Sequence, residues 1–391
     1  MQKKIISPQH YVYISFFLYA VVLGGIYPRL ADLQTQMAVT KSVLGGALIG
    51  AAVGLQISLM FAGPLLKRWG FRKTLFIGIP MLGLAEVAVA LAHSPIAFFL
   101  FFGIGGLAIG AVEILVNLEA DRTEHLIKRR IMNRSHAMWS FGFFTAGIIG
   151  AGAAQFGISP AVQILIITII SSSTIFWIFR DFEPAPARSH DNDTSTHFVK
   201  PTRGILLVVA FCLSAMLLEG ASADWSVIFM RDIFNTTPFL SGLALAFGAL
   251  TQAISRYFAD GYVDKYGPVS VARTMIAILG LGVVTVTVAI NPYMALTGFA
   301  LIGIGTSGIF PLAMSAAAQR TDRPAATNVA SLSQIAFTAF LIGPPLLGFI
   351  AEHFGIRLSF GVAIPLIILS WFNIHSLEAP TVETGQRNAH R

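Results

Sequence analysis

The sequence predicts an all-α membrane protein of twelve transmembrane helices arranged as two pseudo-symmetric six-helix bundles. Three observations carry this. First, 55% of the 391 residues are hydrophobic and only 12% are charged, with a mean hydropathy of +0.73. A soluble domain carries about 25% charged residues, so half that level needs an apolar solvent outside as well as inside. Second, the apolar residues fall into blocks of roughly 20, the length of helix that crosses a ~30 Å hydrocarbon core, and not into the alternating ~10-residue segments of a barrel. Third, one polar segment near the middle of the chain divides those blocks six and six.

The spans are predicted at 11–33, 44–66, 74–93, 95–120, 132–156, 160–180, 204–230, 237–259, 269–290, 292–319, 326–350 and 356–376. Placing both termini in the cytoplasm puts 22 of the 26 Lys and Arg residues on that side and leaves Arg29, Lys41, Arg231 and Arg357 on the other. The opposite orientation inverts the ratio, so a positive-inside bias fixes the topology and accounts for the +7 net charge without nucleic acid. Gln2-Lys3-Lys4 leads into a block that runs past the length of a signal h-region, so no cleaved leader is expected. The single cysteine, Cys212, excludes an intrachain disulfide and a cysteine metal site.

Asp181 to Arg203, with Pro184, Pro186 and the run Ser189-His190-Asp191-Asn192-Asp193, is too polar to bury a core and reads as a cytoplasmic linker. The expected organisation is an N-terminal bundle at 1–180, the linker at 181–203, a C-terminal bundle at 204–376 and a cytoplasmic tail at 377–391. Each half carries a related loop after its second helix. The first reads Gly63-Pro-Leu-Leu-Lys67-Arg68-Trp-Gly70-Phe-Arg72-Lys73, and the second Asp260-Gly-Tyr-Val-Asp264-Lys265-Tyr-Gly267, followed by Arg273. Gly70 and Gly267 stand 197 residues apart, half the chain, which is the mark of a duplication.

These loops resemble the motif of the major facilitator superfamily, Gly-x-x-x-Asp-Arg/Lys-x-Gly-x-Arg/Lys-Arg/Lys. Its glycines match Gly63 and Gly70 and its basic positions Arg68, Arg72 and Lys73; Lys67 replaces the acid. The second copy keeps the acid as Asp264 but has Asp260 where the first glycine would be. The resemblance implies that both loops act in a conformational switch through charge pairs. Glu219-Gly-x-x-x-Asp224-Trp225-Ser226, Asn133-x-x-His136-x-x-Trp139-Ser140-x-Gly142 and Gly343-Pro344-Pro345-x-x-Gly348 further resemble a bacterial subgroup. That subgroup includes a rhizobial membrane protein linked to rhizopine, an inositol derivative.

Ionisable side chains at membrane depth are costly and default to functional candidates. Glu219 lies near the middle of span seven, and Asp224 five residues nearer the outer end, about 140° around the helix, so the two do not share a proton. Glu113 and Asn117 share one face of span four, with His136 and Trp139 at a similar depth on span five. This set suits hydroxyl binding or proton relay, and equally a structural network joining spans four and five. Glu219, Glu113 and Asp224 are therefore the proton-coupling candidates. Arg29 is a candidate partner for Asp224 across the outer mouth, with Asp32 as the plainer alternative. Gln56, Gln252, Gln334 and Trp225 could contact solute, though helix-to-helix glue or interfacial anchoring explains such residues too. Arg256 reads as part of the second loop's charge cluster. Glu86 lies on span three, which the resemblance implies faces lipid, and reads as a structural contact or a residue nearer the surface, with no role assigned to it.

The glycines Gly46, Gly50 and Gly54 present a flat stripe on span two. Gly303-x-Gly305-x-x-Gly308 follows no strand and is not a dinucleotide fingerprint. No Walker loop, nucleophile–base spacing or metal cluster points to an enzyme, and no cofactor is expected. The expected function is a monomeric secondary carrier of the bacterial inner membrane, driven by protons and moving a sugar, polyol or related polar solute through the bilayer. The alternatives are a proton-driven exporter of amphiphilic compounds and a transport-deficient sensor.

Overall fold

The structure is a computed structural model that describes residues 6–187 and 200–378, with side chains throughout these except at 62–67 and 326. Among the described residues, eleven helices are long and apolar enough to cross a membrane. In order they are span one (Pro8–Met37), two (Lys41–Phe61), three (Arg68–Ala90), four (Pro95–Ile127), five (Met132–Gln155), six (Pro160–Phe179), seven (Arg203–Phe234), eight (Pro238–Tyr266), nine (Pro268–Thr287), ten (Pro292–Gln319) and eleven (Thr327–His353). Ile356–Phe372 is shorter and completes twelve. It stops before the expected 376 because the helix is interrupted after Gly361 and a 3-10 turn, Ile374–Leu377, follows it.

Sequence sets most of the starts. Thr40, Ser94, Ser159, Thr202 and Asn291 each accept a backbone N–H of the first turn, and proline opens spans one, four, six, eight, nine and ten, where its missing N–H costs nothing. Several ends differ from expectation: spans four, seven and eight run on to Ile127, Phe234 and Tyr266, beyond a bilayer's thickness. Span one is broken, its α-helix ending at Leu23 before Gly24-Gly25 and resuming at Leu30 after the 3-10 turn Tyr27–Arg29. Pro28 cannot donate to the ladder there, and a Cβ on Gly24 would press into Ala146 and Phe143 of span five.

The duplication is visible in the backbone. At the same 197-residue offset, Ala38 and Asn235 both end a helix with positive φ (52° and 49°), and Gly70 and Gly267 both reverse the chain at φ 68° and 78°. Thr40 and Thr237, and Ser94 and Asn291, are equivalent N-caps. A Cβ on Gly106 would collide with the Ala51 carbonyl, and one on the equivalent Gly303 with the Gly248 carbonyl. Close approach of spans two and four is thus repeated by spans eight and ten. The expected stripe on span two contributes through Gly50 and Gly54, which face the Phe99 and Gly103 carbonyls, whereas Gly46 touches nothing.

Two sets of six crossings put Pro8, Phe179, Arg203 and Phe372 on one face, the linker face, and Arg29, Lys41, Arg231 and Arg357 on the other, the far face. On the far face the bundles are tied together. Arg231 donates to the Ala31 carbonyl at 2.8 Å and to Gln34 Oε1 at 2.6 Å, and Lys41 pairs with Asp232 at 2.9 Å. The Lys41 backbone N–H donates to Glu352 at 3.0 Å, and Gly45 lies directly under the Pro344 carbonyl. On the linker face, spans five and eight meet through Asn133 with Asp260, Arg130 with Asp264 at 3.3 Å, and the Arg134 guanidinium 5.4 Å over the Tyr257 ring.

Candidate functional site

Between those two sets of contacts runs a connected polar network. Its centre is Arg256 on span eight, one helical turn beyond Gln252 on the same face. All three guanidinium nitrogens are engaged. Nε donates to the Ser307 carbonyl at 3.0 Å, Nη1 to Ser140 Oγ at 2.8 Å and Nη2 to Glu219 Oε1 at 3.1 Å. Gln252 runs parallel to it. Its Nε2 donates to the same Glu219 oxygen at 3.0 Å and to Thr306 Oγ1 at 3.3 Å, while its Oε1 accepts from Ser140 at 3.0 Å. Ser140 belongs to span five, so this set joins the two bundles through side chains inside the membrane.

The second set lies in the N-terminal bundle. Asn117 Nδ2 donates to Glu113 Oε1 at 2.9 Å and to the Glu113 carbonyl at 2.8 Å, and Asn117 Oδ1 meets His136 Nε2 at 3.1 Å. With the amide oriented this way His136 carries its proton on Nε2. Phe16 packs edge-on against the His136 ring at 5.2 Å, and Tyr19 lies beside the Glu113 carboxylate. Arg256 is within electrostatic reach of both Glu113 and His136, which makes the two sets neighbours. Chemically the arrangement offers one carboxylate held by a cation, one held only by neutral donors, and hydroxyl, amide and imidazole groups between them.

The expected group of Glu113, Asn117 and His136 is brought together, and Gln252 joins Glu219. Trp139 stacks on Phe143 at 5.3 Å and 17°, with its indole nitrogen buried and without a partner among the described residues. Gln56 makes no hydrogen bond among the described residues, and Gln334 lies on the segment of span eleven before its break at Phe337.

Four expectations are corrected. Arg29 does not reach Asp224. It is 3% exposed, pairs with Asp32 at 2.6 Å, and donates to Gln163 and the Ile158 carbonyl, because the break in span one turns it towards span six. Arg256 is not part of the loop's charge cluster; it points inward, one turn above Asp260. Trp225 is fully buried beside Gly348, not at an interface, because span seven is the inner helix of its bundle. Glu86 does not face lipid: it is completely buried against Gly25, and neither carboxylate oxygen has a partner among the described residues.

Of the loop residues, Gly63 and Lys67 lie outside the described side chains. Arg68, Arg72 and Lys73 are exposed, and Lys265 sits 5.0 Å over the Tyr266 ring. Tyr19, Ser140, Thr306 and Ser307 were not anticipated as site residues. Arg256 could have been found, since an arginine four residues after Gln252 on one membrane helix is itself a signal.

The sequence profile of the Major Facilitator Superfamily matches the chain twice, over residues 12–224 and 207–389. The chain belongs to that family. It is a multi-pass membrane transporter and not an enzyme. Among relatives, it is 28% identical over 366 residues to the uncharacterised transporter y4wD of Sinorhizobium fredii, covering 92% of this chain and 95% of that one. It is 26% identical over 367 residues to the membrane protein MosC of Rhizobium meliloti, covering 91% and 87%. Its fold matches a crystal structure of the nucleoside transporter NupG with a TM-score of 0.73 at 13% identity, over 95% of this chain and all of that one.

Proposed function

We propose that this transporter is a proton-coupled secondary carrier of a small polar solute, a sugar, polyol or related metabolite, working by alternating access across a bacterial inner membrane. One observation carries the coupling. Among the described residues Glu113 has neutral partners in Asn117 and Tyr19 but no cation bound to it, while Arg256, the arginine in reach, is committed to Glu219, Ser140 and the Ser307 carbonyl. A carboxylate so placed can take and release a proton without breaking an ion pair. Glu219 and Asp224 rank behind it as coupling residues.

In this reading the bundles at 1–180 and 204–376 rock about the 181–203 linker, and the solute binds between them. Asn117, His136, Trp139 and Gln252 supply the contacts. Far-face contacts at Arg231 and Lys41 form the closed gate of this conformation. Asp260 and Asp264, gripping span five, form the linker-face switch. Both termini lie in the cytoplasm, following the charge bias, and a single chain is the working unit.

The test is uptake by purified protein in liposomes under an imposed pH gradient, screening labelled sugars, polyols and nucleosides, with Glu113→Gln alongside. Gradient-dependent accumulation that Glu113→Gln abolishes, while solute exchange at equilibrium survives, is the expected result. Dyes leaving preloaded vesicles with no solute uptake would replace this reading by amphiphile export. Binding without any movement would replace it by a sensor.

A further inference from the structure

Asp224 is the acid that the network above does not use. It lies on the inner helix of the C-terminal bundle, 8% exposed, and has no hydrogen bond or ion pair among the described residues. A charge at this depth needs a partner. The residue that could have supplied one, Arg29, is held by Asp32, Gln163 and the Ile158 carbonyl.

What does lie near Asp224 is aromatic. The 3-10 turn Tyr27–Arg29 of span one packs on span seven, and Tyr27 is within electrostatic reach of the Asp224 carboxylate. The Tyr27 ring rests on Phe143 at 5.2 Å, and Trp139 stacks on Phe143 at 5.3 Å. Three rings therefore run from span one along span five, the first of them near a carboxylate that has no partner among the described residues, and the buried Trp139 N–H has no acceptor among those residues. Aromatic faces carry negative potential and attract cations, most strongly when desolvated.

We propose that Asp224, Tyr27, Phe143 and Trp139 form a subsite for an organic ammonium group carried by the transported solute. The inference rests on the carrier reading above and narrows it: the polar solute is a cationic amine rather than a neutral polyol. The carboxylate supplies the counter-charge, the rings supply the desolvated wall, and the Trp139 N–H takes a hydroxyl or carbonyl oxygen of the same molecule.

The test uses intact protein in lipid nanodiscs, with choline and its uncharged carbon isostere as probes. Choline is expected to raise the thermal unfolding midpoint in a saturable way and the isostere to leave it unchanged. Asp224→Asn is expected to weaken choline at least roughly tenfold, and Trp139→Leu by roughly fivefold. Trp139→Leu also serves where Asp224→Asn fails to fold. Equal responses to choline and its isostere overturn the subsite, as does an Asp224→Asn protein that binds choline with native affinity; the carboxylate then serves a proton alone. Liposome uptake separates the two readings. Accumulation of a neutral polyol that Asp224→Asn leaves intact keeps the carrier and removes the ammonium site. Choline binding that depends on Asp224, with no solute moving in any gradient, keeps the subsite and removes the carrier.

Discussion

Glu219 and Asp224 stand five residues apart on one helix, and in the sequence they send the same signal, an acid at membrane depth. Their surroundings are opposite. Glu219 accepts from Arg256 and Gln252 and is tied through them to Ser140 of the other bundle. Asp224 has Tyr27 near it and no donor among the described residues. Depth alone therefore marks a residue as costly, and its partners decide what the cost is spent on: a fixed charge that ties two bundles together or, as proposed for Asp224, an open charge that a solute can pair.

The comparison is broken or sharpened most strongly at Arg256. Removing one member of a buried pair leaves the other charge bare, which costs about 3–5 kcal/mol, and less here because the Glu219 side chain is 25% exposed. Arg256→Ala also strands Ser140 and the Ser307 carbonyl, so it should be the most destabilising single change in the network by denaturant unfolding in nanodiscs. Adding Glu219→Gln should recover a large part of the loss. An Arg256→Ala protein no less stable than Asp224→Ala would mean that the pair holds nothing.

Ser140→Ala tests the link between the bundles with both charges kept. It removes an acceptor for Arg256 and a donor to Gln252, and hydrogen bonds to charged groups are worth about 1.5–3 kcal/mol. The expected outcome is lower stability with the Arg256–Glu219 pair intact. Ser140→Thr, which restores the hydroxyl, should recover it. Unchanged stability in Ser140→Ala would show that the interbundle bonds are replaced by water.

The fold was legible because a bilayer leaves a chain few options: apolar blocks of about 20 residues fit helices and not the shorter strands of a barrel. The duplication, read from two glycines in two loops, extends to helix caps and glycine contacts that no motif marks. Glu113, Asn117 and His136 were legible as a set because their spacings are local to two helices. Arg256 and Arg29 were misplaced for a common reason. Their partners come from other helices, and rotation about the helix axis, which decides where a long side chain reaches, is set by packing. Glu86 was misjudged because nothing local distinguishes the lipid side of span three from the side sealed by span one.

A smaller effect is expected at the far face, where the contact is interbundle but lies nearer water. Arg231 donates to the Ala31 carbonyl and to Gln34. Losing about 1.4 kcal/mol from the closed state raises the open population roughly tenfold. Arg231→Ala should therefore increase labelling of a cysteine placed by Ser42→Cys. Cys212 is buried and gives little background. Labelling that stays at the native rate would move the gate elsewhere, to the contact of Gly45 with Pro344.

The smallest effect should come from Asp264, whose side chain is 67% exposed and faces an Arg130 that is 72% exposed. Exposed pairs contribute about 0–1 kcal/mol, so Asp264→Asn should leave stability within that range. Any influence it has on the switch must be electrostatic, and at about 1 M salt the screening length falls to about 3 Å. Native and Asp264→Asn proteins should therefore differ in transport rate at low salt and converge at high salt. Asp260→Asn behaves otherwise, since the bond from Asn133 to Asp260 is partly buried and does not depend on a counter-charge. Its effect should persist at high salt. If instead both variants converge, the two acids act as one charged patch, and the hydrogen bond to Asn133 has no part of its own in holding span five against span eight.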